Sequence, residues 1–431
     1  LVRPQDLELA ERAVELGRSL VDSHPQVAKC RRELSNALRI LAATLFHWHR
    51  PEEAAEHALA AVDSARILTG LDNGWSTRYL LAGTSSEACK NLIILGRHDE
   101  ALAYGRTAIE IYKELAGERP SPSHLNNMAL VNLYLAQTLR ALERPEEAER
   151  AARDALKLLD NAEKAGASPD SILRFRVLLA LGHAAQGRGD ADAAIKHVQG
   201  ALAVAPDPVV RPWFGLVASA HHLLSDIRLR GGAFDASLEH ARQFLRFRKE
   251  QVAAERGAPQ GLISAPAWRV RTLEILSGVR PFESPMDHCF VAYLLHTARR
   301  FEKSVVHWRS ALEDDTIRGD LGRGHLYNAA CSAARASEGA TGAQAKRLRD
   351  LALEWLAADR ALRRARMTQV RDRRPQPPNI DKLEASYART LEHARVKDAD
   401  LAAIRDLPAF KRIFGEDSKM EGAKTEAGGS K

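Results

Sequence analysis

Small residues return along this chain at a nearly constant step, each time behind a short polar turn. Ala54, Ala58 and Ala61 follow Arg-Pro-Glu-Glu, and Ala101, Gly105 and Ala108 follow Gly-Arg-His-Asp-Glu. Ala148, Ala152 and Ala155 follow a second Arg-Pro-Glu-Glu, and Ala194, Val198 and Ala201 follow Gly-Arg-Gly-Asp-Ala-Asp. Weaker copies place Ser237, Ala241 and Phe244 after Gly-Gly-Ala-Phe-Asp, and Ser304, Trp308 and Ala311 after Arg-Arg-Phe-Glu-Lys. The first positions of these six copies are separated by 47, 47, 46, 43 and 67 residues. Steps of four and then three put the small side chains on one stripe of a helix, where a neighbouring helix can approach closely. A repeat of this period is the signature of stacked helix pairs.

A second apolar stripe precedes each turn: Leu41, Ala42, Leu45; Ala88, Cys89, Leu92; Leu135, Ala136, Leu139; Leu181, Gly182, Ala185; and Val291, Ala292, Leu295. Together the two stripes resemble the tetratricopeptide pattern L-G-x2-Y…G-x-Y-x2-A-x3-F-x2-A…P. The copy LALGHAAQGRGDADAAIKHVQGALAVAP is the fullest match and runs down to Pro206. The family period is 34 residues, so a step of 46 or 47 adds about 12 residues, roughly three helical turns shared between the two helices. The expected fold is a right-handed α-solenoid of about seven tetratricopeptide-like helix pairs with a helical C-terminal cap. Composition agrees: aromatic residues make up 6% and charged residues 28% of the chain, with good helix formers abundant.

The expected organisation is a repeat array over 1–255, an insertion or flexible joint over the Pro/Gly-rich stretch 256–285, and further pairs over 286–366. A helical cap over 367–415 and a disordered tail over 416–431, polar and poor in apolar residues, complete it. Ala10, Val14 and Gly17 occupy a second-helix stripe with no first helix before them, so Leu1 is expected to be a cut end of something larger.

Two further resemblances concern the ends. HPQVAKCRREL at 24–34 is similar to the H-P-x-V-x-x-x-R-R-x-L linker of repeat arrays attached to bacterial serine/threonine protein kinases of the planctomycete type, with Cys30 where that linker often has an aromatic residue. LYNAACSAARA at 326–336, AKRLRDLALEWLAADRALR at 345–363 and DADLAAIRDLPAFKRIF at 398–414 resemble the Y-N-A-A-C, A-L-x-W-L-x-A-D and D-x-D-L-x-x-L-R-D-x-P-x-F segments of the same kinases' tails. The resemblance implies a regulatory or substrate-docking repeat region whose catalytic domain lies upstream of Leu1. The alternatives are a free-standing adaptor and, last, an enzyme with an unrecognised site.

Kinase chemistry is not written in the chain itself: it has no Gly-rich phosphate loop, VAIK-like lysine, HRD or DFG. Four separated cysteines without a CxxC suggest neither a disulfide framework nor a zinc knuckle, and a reducing, cytoplasmic setting fits them. Cys89 and Cys331 read as packing residues, and Trp308 and Trp355 as core. Sixteen histidines include His47 and His49, His221 and His222, and His288 beside Cys289. Without an HExxH they are expected to bind no metal, and no cofactor is expected. No run approaches the roughly 18 apolar residues of a membrane span. Of the net charge of +7, ten basic residues against four acids between Lys346 and Arg374 supply most. Nucleic-acid binding would instead spread basic residues along the whole array.

The face expected to bind a partner is lined by the first helix of each pair. Counting back from the packing stripes, its exposed positions are Asn36, Arg39, Phe46, Lys90, Gln137, Arg140, Arg176, His183 and Gln186. Four of these are basic and none is acidic, which suits an acidic peptide or a C-terminal carboxylate.

Overall fold

In the computed structural model, residues 4–119, 121–254, 261–372, 385, 388–389 and 392–414 are described. Helices dominate them: α1 (Pro4–Ser23), α2 (Ala28–His47), α3 (Pro51–Leu71), α4 (Trp75–Ile94), α5 (His98–Glu118), α6 (Pro122–Ala141), α7 (Pro145–Lys164), α8 (Ser171–Gly187), α9 (Ala191–Val204), α10 (Phe214–Gly231) and α11 (Phe234–Ala254). Then come α12 (Gly261–Leu276), α13 (Pro285–Thr297), α14 (Phe301–Ala311), α15 (Asp315–Gly319), α16 (His325–Gly339), α17 (Gly342–Asp372) and α18 (Ala402–Arg405). No strand occurs among the described residues. None of their helices is long and apolar enough to cross a membrane.

The turn inside each pair explains the constant step. His49, Gly96, Glu143, Gly189, Gly232 and Arg299 all have positive φ, between 55° and 82°, and each stands five residues before the first small residue of its copy. The residue after each donates its N–H to the carbonyl five positions back, from Arg50 to Leu45, Arg97 to Leu92, Arg144 to Leu139 and Arg300 to Leu295. This is the Schellman closure, in which one left-handed residue satisfies the orphan carbonyls of the outgoing helix. In three copies the arginine just outside the next helix then grips the carboxylate three residues on: Arg50 with Glu53, Arg97 with Glu100, Arg144 with Glu147. The turn and the first turn of the second helix are thus built from one local code, Arg-x-x-Glu behind a left-handed residue.

The long helices expected from the 47-residue step are present: α2 spans 20 residues and α3 spans 21. Ala54, Ala58 and Ala61 are fully buried, as are Ala152 and Ala155. A Cβ at Gly105 would meet Leu135 Cδ2 at 2.6 Å, and one at Gly182 would meet Val198 Cγ2 at 2.6 Å, so glycine sets how closely those helices pack. Consecutive helices α1 to α8 pack on one another, and the first helices α2, α4, α6 and α8 also touch in succession. That direct contact gathers them into one inner layer.

The chain divides into two compact units, Leu1–Ile227 with Arg246–Ala258, and Arg228–Leu245 with Pro259–Lys431. In the second unit, α12 occupies much of the stretch 256–285 expected as an insertion or joint, and α17 runs past the expected boundary at 366. The closing segment belongs to that unit's core: Leu401, Ile404, Phe410 and Phe414 are buried with Trp308, Trp355 and the alanines of α16. The expected tail at 416–431 lies outside the described residues.

Candidate functional site

The first-helix layer of the first unit carries the expected partner-binding positions, and the structure sorts them into groups. Phe46 and Lys90 meet as a stacked pair, the ammonium 4.6 Å from the ring centroid. Lys90 also lies 2.5 Å from a Glu87 oxygen. Glu87, which is not among the nine positions, sits one helical turn before Lys90 and neutralises it. Arg39 has no carboxylate partner among the described residues, and its charge is felt at the buried hydroxyl of Tyr112. Asn36 is half-buried on α2, and the Nε2 of Gln186 on α8 is buried without a hydrogen-bond partner.

Gln137, Arg140, Arg176 and His183 converge on one cleft of about 370 Å³, between α6, α8 and the start of α10. Its floor is apolar, with Ile93, Leu179 and Leu216 among the lining residues. Neither Arg140 nor Arg176 has a carboxylate within ion-pair distance among the described residues. Arg176 instead lies 6.0 Å from the centroid of the Tyr134 ring. Arg140 is exposed to solvent, with partial desolvation lowering its pKa. His183 is pushed down to about 4, first by burial and then by Arg140, with Asp226 opposing. It is therefore a neutral imidazole near pH 7, able to donate and accept a hydrogen bond. The cleft thus presents two cations, a neutral imidazole and an amide over an apolar floor, a set suited to one carboxylate and the carbon chain that carries it.

Position counting missed a second cluster, in the second unit. His296 of α13 places Nε2 3.2 Å from Asp400 Oδ2 and Nδ1 2.9 Å from Ser332 Oγ. The order Asp–His–Ser is that of a hydrolytic relay, but Ser332 is 0% exposed. Its hydroxyl donates to the Asn328 carbonyl at 3.0 Å and accepts from Trp308 Nε1 at 3.1 Å. It is a core hydroxyl whose bonds hold helices together. Beside it, Tyr327 donates to Asp398, and the Cys331 thiol lies 3.8 Å from the same carboxylate oxygen. Tyr327 and Cys331 come from YNAAC, and Asp398 and Asp400 from DADL, so two segments singled out in the sequence touch through their polar residues. Spacing hid this convergence, because 67 residues separate Cys331 from Asp398.

No family model matches the chain, and no curated protein matches it. Among solved structures, BtubC (BKLC) from P. vanneervenii is similar at 20% identity and a TM-score of 0.43, over 59% of this chain and 94% of that one. The TPR2AB domain of yeast Sti1, solved as a complex with pHSP90, is similar at 15% identity and a TM-score of 0.24, over 78% of this chain and 98% of that one. At such identities and scores neither likeness carries a functional argument. The class rests on the chain's own turns and packing: an all-α protein of stacked helix pairs.

Proposed function

We propose that the chain is a protein-interaction module and that the first unit binds an acidic segment of a partner through the cleft of Arg140 and Arg176. The observation that carries this reading is the pair of arginines left without carboxylates on the inner layer of stacked helices. Guanidinium groups without a counter-ion lower their free energy by taking a carboxylate, at about 1.5–3 kcal/mol for each charge-assisted hydrogen bond. The linker at 24–34 and the three C-terminal segments support a finer reading, the regulatory or substrate-docking region of a serine/threonine protein kinase, in the bacterial cytoplasm. A free-standing adaptor is the second reading, favoured by the lack of any kinase motif in the chain.

Two measurements test this. Acidic peptides, with and without a free C-terminal carboxylate, are titrated by fluorescence anisotropy into the wild type and into Arg140→Glu/Arg176→Glu. Loss of two charge-assisted contacts corresponds to an affinity drop of about a hundredfold or more. Equal affinity in the two proteins would remove the cleft from the proposal. An antibody against the chain then sizes the native polypeptide: a band well above 47.5 kDa that co-precipitates kinase activity supports the kinase-arm reading, and a band at that mass supports the adaptor.

A further inference from the structure

The polar cluster of the second unit is built for a task that peptide binding does not use. Cys331 Sγ and one oxygen each of Asp398 and Asp400 lie within 4.8 Å of one another. They line a cavity of about 90 Å³ that His296 also lines. At about 30 Å³ per water, such a space takes an ion with one or two waters and excludes a peptide or nucleotide. The donor spacings fit the same conclusion. Cys331 Sγ is 3.8 Å from Asp398 Oδ2. Ligands held at 2.0–2.3 Å around a tetrahedral ion stand roughly 3.3–3.8 Å from one another.

We propose that Cys331, Asp398 and Asp400 form a binding site for a borderline-soft divalent cation of the zinc class, with water completing its coordination. The mixed thiolate and carboxylate set selects such an ion over magnesium or calcium, which take oxygen ligands. A thiolate and two carboxylates overcompensate a divalent charge by one, and Arg335, with Nε 3.6 Å from Asp400 Oδ1, offsets the excess. A thiol must lose its proton to ligate, so affinity rises with pH. The bound ion would fasten the closing segment to α16.

The experiment uses the full chain stripped with a chelator and titrated with Co²⁺ and Zn²⁺. Expected are one equivalent bound, a thiolate-to-cobalt charge-transfer band in the near ultraviolet, and displacement of cobalt by zinc. Cys331→Ser should abolish the band, while Cys289→Ser and His288→Ala/His307→Ala should keep it. If Cys331→Ser does not fold by circular dichroism, Asp400→Asn serves in its place, since Asp400 is partly exposed, and should weaken cobalt binding at least tenfold. No thiolate band in the wild type would overturn the site. So would a band that persists in a folded Cys331→Ser, or one lost only with His288 and His307.

Discussion

Glu143 and Gly96 occupy the same place in two successive repeats, with φ of 57° and 70°, and that equivalence allows a reciprocal exchange. A left-handed conformation costs an L-residue about 1–2 kcal/mol that glycine does not bear. Glycine in turn loses more backbone entropy on folding, worth about 0.4–1 kcal/mol. At Gly96 a Cβ would meet nothing within 4 Å, so Gly96→Ala isolates the backbone effect from any clash. Glu143 is exposed and makes no ion pair among the described residues, so Glu143→Gly loses little else. The expected outcome is a destabilisation of about 0.5–1.5 kcal/mol at Gly96 and a stabilisation of about 0.5–1 kcal/mol at Glu143. An array of repeats can open locally, so the assay is native-state hydrogen exchange of the amides flanking each turn, read alongside urea melts. The reasoning is refuted if Gly96→Ala is neutral while Glu143→Gly destabilises, because the turns would then not be held left-handed by the Schellman closure.

Other outcomes follow from the same geometry. At Gly182, whose added Cβ would lie 2.6 Å from Val198 Cγ2, Gly182→Ala should overpack by about 1–3 kcal/mol, and Val198→Ala in the same chain should recover at least 1 kcal/mol in a double-mutant cycle by urea melts. Because folded His183 stays neutral down to about 4 while its ordinary value is 6.5, an unfolded chain takes up that proton first. Stability is therefore complete above about 6.5 and lost as pH falls toward 4, and His183→Gln should flatten that part of a melting-temperature profile. Asp287, nearly fully buried, accepts the backbone N–H groups of Glu283 at 2.9 Å and Ser284 at 3.1 Å and pairs with Arg271 at 3.0 Å; Asp287→Ala should cost about 2–3 kcal/mol by denaturant titration. Burial pushes the Cys89 and Cys289 thiols up to about 12, so brief alkylation near pH 8, read by mass spectrometry, should label the half-buried Cys30 ahead of both.

What the sequence reveals of this molecule is what recurs in it. The alanine stripes are visible because each helix pair repeats the same contact, and a period of 46 or 47 residues could come only from long helix pairs. The left-handed turn is legible at Gly96, Gly189 and Gly232 but not at His49, Glu143 and Arg299, where a side chain hides the conformation and only its place in the period betrays it. Counting back from the stripes reached Gln137, Arg140, Arg176 and His183, which share one cleft, because a helical face is a local property of four consecutive turns. The same count passed over Glu87, although its place three residues before Lys90 was enough to foresee the ion pair. The cluster of His296, Cys331, Asp398 and Asp400 was beyond such reading for a different reason. It joins the first helix of the last copy to two segments beyond it, with 104 residues between His296 and Asp400, and no period links them. Their individual segments stood out, but only the burial of Leu401, Ile404, Phe410 and Phe414 against α16 and α17 brings the two aspartates to the thiol. In a repeat protein, regularity makes the scaffold readable. The chemistry that departs from it gathers where the repeat ends and the chain must close its last exposed face with something other than another copy of itself.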